Sequence, residues 1–192
     1  MHANLNQSSA SLMHGLLEGR PHPEIKEVPA SSFSDEPPPT GRAVKRILLV
    51  DDDPGVREML GRVLEAEYYE VIRAENGNEA GAKFVNREPD IVLLDLNMPE
   101  RDGWSAFRFM EVIRPLLPVI IITARSNQYA QAEALGVDAL MEKPLNLPVL
   151  LEAVKKLLAE TEAERTRRLT NSQFKTVFLN HRNPLPANGN GQ

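Results

Sequence analysis

The chain has 192 residues, 42% hydrophobic and 26% charged, a balance that suits one globular domain with tails. Without cysteine it has no disulfides, thiolate metal sites or cysteine nucleophile, and a formal charge of -5 argues against non-specific nucleic-acid binding as its main task. Residues 1–19 hold no Lys or Arg and no long apolar core, and the apolar stretch around Pro118 to Ala124 is too short to cross a bilayer; a soluble cytoplasmic protein is expected.

Residues 1–43 are rich in Ser, Pro, His and Gly, lack the apolar density that repays ordering entropy, and are expected to be disordered. Leu12-Met-His-Gly-Leu-Leu17 is a small apolar island within them, best read as ordinary tail. Residues 44–160 alternate strand and helix patterns. Strands are expected near 46–50, 69–74, 90–95, 118–123 and 138–142, and runs as apolar as Ile47–Val50, Ile91–Leu94 and Val119–Ile122 read as buried parallel strands.

Asp53-Pro54 reads as an N-cap with proline at the first helical position, before an apolar face of Val56, Met59, Leu60, Val63 and Leu64. Asn76 and Glu79 resemble a capping box for a shorter helix. A third helix follows the Asp102-Gly103 turn and carries Phe107, Met110 and Ile113. A fourth, about 127–135, stops at Gly136, and a fifth follows Asn146 with Leu150, Ala153, Val154, Leu157 and Leu158 inward. Five βα units with right-handed crossovers predict an α/β three-layer sandwich, helices on both faces of the sheet. Residues 161–192 are expected to be a polar overrun of the last helix, with Glu164 and Arg168 paired at i,i+4, and a disordered tail. Phe174, Val177, Phe178 and Leu179 suggest a short partner-binding turn in that tail.

Asp51, Asp52, Asp95, Thr123 and Lys143 each stand just after an apolar run, at the rim where open parallel sheets bind ligands. With the strands in the flavodoxin-like order 2-1-3-4-5, the carboxylates converge. Three acids beside one lysine repel unless a divalent cation joins them, and an all-oxygen set suits Mg²⁺. A carboxylate at Asp95 can also attack phosphorus, Thr123 offers a hydroxyl donor, and Lys143 a mobile positive charge for phosphoryl oxygens.

Val50-Asp-Asp-Asp-Pro54, Leu94-Asp-Leu-Asn-Met-Pro-Glu-Arg-Asp-Gly103, Thr123-Ala124 and Lys143-Pro144 resemble the receiver domain of two-component response regulators, over residues 45 to about 159. The resemblance implies a (βα)5 signalling switch of the single-domain type, not a turnover enzyme. It implies that Asp95 accepts a phosphoryl group from a sensor histidine kinase or a phosphotransfer protein. It implies that Asp52 binds Mg²⁺ directly, Asp51 through water, and Asn97 through its backbone carbonyl. Thr123 and Lys143 match the pair that meets the phosphoryl oxygens, and Lys143-Pro144 the family's cis peptide bond. Output would pass to an unidentified protein target, with no direct nucleic-acid or membrane contact; a homodimer formed on phosphorylation is a candidate assembly.

One departure is Leu140, where the family usually carries Tyr or Phe. Another is the somewhat short segment from Thr123 to Gly136. Two rival functions are a haloacid-dehalogenase-like Mg-dependent phosphatase, using Asp51-x-Asp53, Thr123 and Lys143, and a degenerate receiver that binds partners without phosphorylation. The first leaves Asp95 and Met98-Pro99 unexplained and finds only Glu152 for its later acidic pair. The complete five-residue set argues against the second.

Overall fold

A computed structural model describes residues 43–98 and 103–179. The expectations about residues 1–42, the Asp102 turn and residues 180–192 lie outside the described residues. Elements alternate from the start: β1 (Arg46–Val50), α1 (Pro54–Ala66), β2 (Glu70–Ala74), α2 (Gly77–Arg87), β3 (Ile91–Asp95), α3 (Gly103–Ile113), β4 (Val119–Thr123), α4 (Tyr129–Ala134), β5 (Ala139–Glu142) and α5 (Leu147–Ala159). Two further elements follow, α6 (Glu162–Leu169) and β6 (Val177–Phe178). All strand pairs are parallel, in the order β2-β1-β3-β4-β5-β6.

Period-two alternation divides the strands between two cores. Leu48, Val50, Val92, Leu94 and Ile121 face α2 and α3, where Phe84, Phe107 and Met110 meet them. Ile47, Leu49, Ile91, Leu93, Ile120 and Ile122 face α1 and α5, against Leu60, Leu64, Leu150 and Val154. Each such fully buried side chain contributes about 1.5–3 kcal/mol, so strands covered on both faces carry most of the stability.

The helix ends follow their caps. Asp53 Oδ1 accepts from Gly55 N at 2.7 Å and Val56 N at 3.1 Å. Asn76 Oδ1 accepts from Glu79 N at 2.9 Å, and the Glu79 carboxylate reaches back one residue further than a capping box, to Glu75 N at 2.7 Å. Gly136 closes α4 at φ +70, a conformation that costs glycine little. Met59 and Ile113, assigned to inner faces, are instead 41% and 45% exposed; each lies at the edge of its helix's apolar stripe.

The C-terminal expectation needs correction. Residues 161–179 are neither an overrun of α5 nor loose tail. At Glu160 the backbone turns extended, and Thr161 starts a new helix with a complete capping box to Glu164. Glu164 is therefore committed to Thr161 rather than to Arg168. Arg168 instead binds Glu160 and Asp138, and Arg165, 4% exposed, meets both carboxylate oxygens of Asp138 at 2.7 Å. Asp138, at the amino end of β5, is buried and must find cations; α6 supplies them. The chain then returns beside β5, with Ala139 opposite Val177 and Leu140 opposite Phe178, which makes a sixth strand where five were expected.

Gly103 shows how closely α3 approaches β3. A Cβ there would lie 2.6 Å from the Asp95 carbonyl oxygen and 2.7 Å from Leu96 Cα, both backbone atoms. Gly103→Ala is expected to cost about 1–3 kcal/mol by chemical denaturation, because only backbone movement relieves the overlap.

Candidate functional site at the carboxyl rim

The same local device shapes three strand ends. Asp51 Oδ1 accepts from Asp53 N at 3.0 Å, Asp95 Oδ1 from Asn97 N at 2.8 Å, and Thr123 Oγ1 from Arg125 N at 3.0 Å. In each case a short polar side chain binds the amide two residues ahead, turning the chain off the sheet and fixing its own rotamer. One oxygen of each carboxylate remains for other partners. Asp51 and Asp95 are each 1% exposed and Thr123 is fully buried.

Lys143 comes in from β5. Its amide donates to Thr123 O at 2.8 Å, its bond to Pro144 is cis, and its ammonium lies 2.6 Å from Asp95 Oδ2 and 3.0 Å from Asp51 Oδ2. Asp52 completes a cluster in which one carboxylate oxygen each from Asp51, Asp52 and Asp95 lies within 4.8 Å of the others. Thr123 Oγ1 donates to Asn97 Oδ1 at 3.4 Å, so Asn97 also belongs to the rim. Asp51, Asp52, Asp95, Asn97, Thr123 and Lys143 are therefore gathered at this rim.

The charges are unequal, three carboxylates against one ammonium. Burial pushes the Asp51 carboxyl above its ordinary value; the Lys143 hydrogen bond opposes the rise and the neighbouring Asp95 charge adds to it. Burial also works against the Lys143 ammonium, but the bonds to Asp95 and Asp51 outweigh it and raise its pKa. An all-oxygen donor set with surplus negative charge suits a hard divalent cation. Asp53 takes no part: its exposed carboxylate caps α1, which removes the Asp51-x-Asp53 pair that a haloacid-dehalogenase-like mechanism needs.

Two residues at this rim were not singled out for it. Arg57 Nη1 donates to Asp51 O at 2.6 Å and Asp52 O at 3.3 Å, holding the acidic loop from α1; its place one turn beyond the Asp53 cap was the available signal. Trp104 is 5% exposed and donates to Gln128 Oε1 at 3.1 Å, tying α3 to the loop after β4.

Comparison with known proteins agrees with this geometry. The model of the response regulator receiver domain matches residues 47–155, more than half of the chain. The chain belongs to that family, the signalling domains of two-component systems. It is 39% identical over 118 residues to the transcriptional regulatory protein GlrR of Escherichia coli K12, covering 60% of this chain and 26% of that one. It is 38% identical over 121 residues to the uncharacterized transcriptional regulatory protein YvcP of Bacillus subtilis, covering 62% and 51%. The chain thus spans between a quarter and about half the length of these curated relatives. Among solved structures, it is similar to a CheY-like receiver domain protein of Methanospirillum hungatei JF-1, with TM-score 0.59, 31% identity and 65% and 98% of the two chains covered. It is also similar to response regulator TrrA of Thermotoga maritima in complex with Mg²⁺ and BeF, with TM-score 0.56, 38% identity and coverage of 59% and 99%.

Proposed function

We propose that this protein is a phosphorylation-dependent switch that accepts a phosphoryl group on Asp95 from the phosphohistidine of a sensor kinase or phosphotransfer protein. The observation that carries this reading is Lys143 Nζ at 2.6 Å from Asp95 Oδ2, within a three-carboxylate cluster at the sheet's carboxyl rim. An Asp95 carboxylate oxygen attacks phosphorus, the phosphorus–nitrogen bond breaks, and its electron pair stays on the donor imidazole. Asp95 becomes an acyl phosphate, and the donor imidazole, which takes up a proton from solvent on a ring nitrogen, leaves as a neutral histidine. Asp51, Asp52, Asp95 and the Asn97 backbone carbonyl would hold Mg²⁺, which when bound supplies positive charge opposite the developing phosphoryl oxygens.

The chain's own groups do the rest. The Asn97 amide fixes one Asp95 oxygen and leaves the other for attack. Lys143 exchanges its contact with Asp95 for one with a phosphoryl oxygen, and the Thr123 hydroxyl, now on Asn97, turns to donate to another. Because the strands are packed on both faces, these groups are held before the donor arrives. Output through protein contacts, in a cytoplasmic setting, belongs to the same proposal. Among the described residues no helix is long and apolar enough to cross a membrane.

Trp104 is the chain's single tryptophan and bonds to the loop that follows Thr123, so its fluorescence reports occupancy. Titration with beryllofluoride in Mg²⁺ is expected to change the emission saturably, and chelating the Mg²⁺ to abolish the response. A flat titration with folded protein would refute the proposal and favour a phosphorylation-independent binding module. Steady phosphate release from small phosphoesters would mark a phosphatase instead.

A further inference from the structure

The returning C-terminal segment covers the edge of β5 with a short hydrogen-bonded strand, and Thr176 and Leu179 are buried where it docks. β6 has two residues. Val177 N donates to Asp138 O at 3.0 Å, Leu179 N to Leu140 O at 2.8 Å, and Thr176 Oγ1 to Val137 O at 2.7 Å. A further tie comes from α4. Tyr129 Oη donates to Thr176 O at 2.9 Å, and its ring meets Phe178 edge-on, centroids 5.9 Å apart. Leu140, directly opposite Phe178, is fully buried and fills the position beneath this pair.

Tyr129 is joined to the acidic rim by a short tether. It begins α4, and only residues 124–128 separate it from Thr123. That loop is fastened at both ends to the rim, by Arg125 N on Thr123 Oγ1 and by Trp104 on Gln128. α4 itself is a six-residue helix whose N-cap Gln128 makes no side-chain capping bond. Little therefore resists a displacement of Tyr129 when Thr123 changes partner.

We propose that residues 171–179 form a strap whose grip on β5 is set by the state of Asp95: a phosphoryl group there draws Thr123 and its loop inward, pulls Tyr129 off Thr176 and Phe178, and loosens the strap. The inference rests on the reading of Asp95 as phosphoacceptor. A hydroxyl that turns to donate to a phosphoryl oxygen carries the Arg125 amide with it, and a hydrogen bond of 2.9 Å does not survive a shift of about 1 Å. The hinge lies after α6, which stays pinned by Arg165 and Arg168 on Asp138. Loosening uncovers the backbone of β5, and an open edge is a template for strand addition.

Hydrogen exchange of the Val177 and Leu179 amides in the full chain tests this, with Trp104 emission followed in the same samples. Mg²⁺ with beryllofluoride is expected to speed both amides at least about threefold, and Asp95→Asn to remove the effect. Tyr129→Phe, which deletes only the hydroxyl that holds Thr176, is expected to speed them without beryllofluoride while keeping the emission response. An emission change with unaltered or slower exchange overturns the strap and leaves the phosphoacceptor intact. Wild-type exchange rates in Tyr129→Phe also overturn it, and no emission change at all removes both readings.

Discussion

Asp95→Asn is expected to lower phosphoryl incorporation from acetyl phosphate or a phosphohistidine donor by about three orders of magnitude or more, read by intact mass or radiolabel. The amide keeps the shape of the carboxylate and can still accept from Asn97 N, so the fold is kept while the nucleophile is lost. Thr123→Ala and Lys143→Ala fall less far. Each removes a donor aimed at charge that develops on the phosphoryl oxygens, a loss of about 10²–10³ in rate. The ordering separates nucleophile from stabilisers. Incorporation that persisted in Asp95→Asn at the wild-type rate would move the acceptor to Asp51 or Asp52 and undo the assignment.

The largest stability effect is expected at the opposite rim. Asp138→Ala should cost about 3–5 kcal/mol in urea unfolding, because it leaves the buried Arg165 guanidinium with only the Glu160 carboxylate, 3.9 Å away. Arg165 is 4% exposed; its remaining hydrogen bond goes to Leu117 O at 2.9 Å. The change also orphans Val119 N, which donates to Asp138 Oδ2 at 2.8 Å at the start of β4. Adding Arg165→Met should restore part of the loss, since an apolar side chain removes the poorly compensated buried charge and packs beside Leu169 and Phe174, which line an adjoining cavity of about 220 Å³. Full additivity of the two losses would show that the pair is not the source.

The strands and the acidic rim could be read from the chain because their signals are local. Continuous apolar runs such as Ile91–Leu94 identify two-sided burial, and each rim residue follows its run within one or two positions. Parallel pairing then converts position along a strand into position at one rim, which is why Asp51, Asp95, Thr123 and Lys143 meet despite their separation in sequence. The C-terminal segment resisted the same treatment. Arg165 looks like solvated surface in a polar helix, and nothing local links it to Asp138. Thr161 and Glu164 do match a capping box, but Glu164 and Arg168 match an i,i+4 pair equally well, and only the fold decides between them. A two-residue strand has no periodicity to detect. The setting of Leu140 is likewise non-local: Phe178 opposite it comes from β6, and the Tyr129 ring that meets Phe178 comes from α4.

The family match ends at residue 155, whereas the covering of β5 and the counter-ions of Asp138 come from residues after 160. A fragment trimmed to that boundary would retain all five rim residues and lose both of these contributions. Its exposed β5 would invite self-association, and its acid at the base of β5 would face water that the native packing excludes. Expression work on this protein therefore belongs on a fragment that runs through Leu179 at least, with the boundary set by packing rather than by homology.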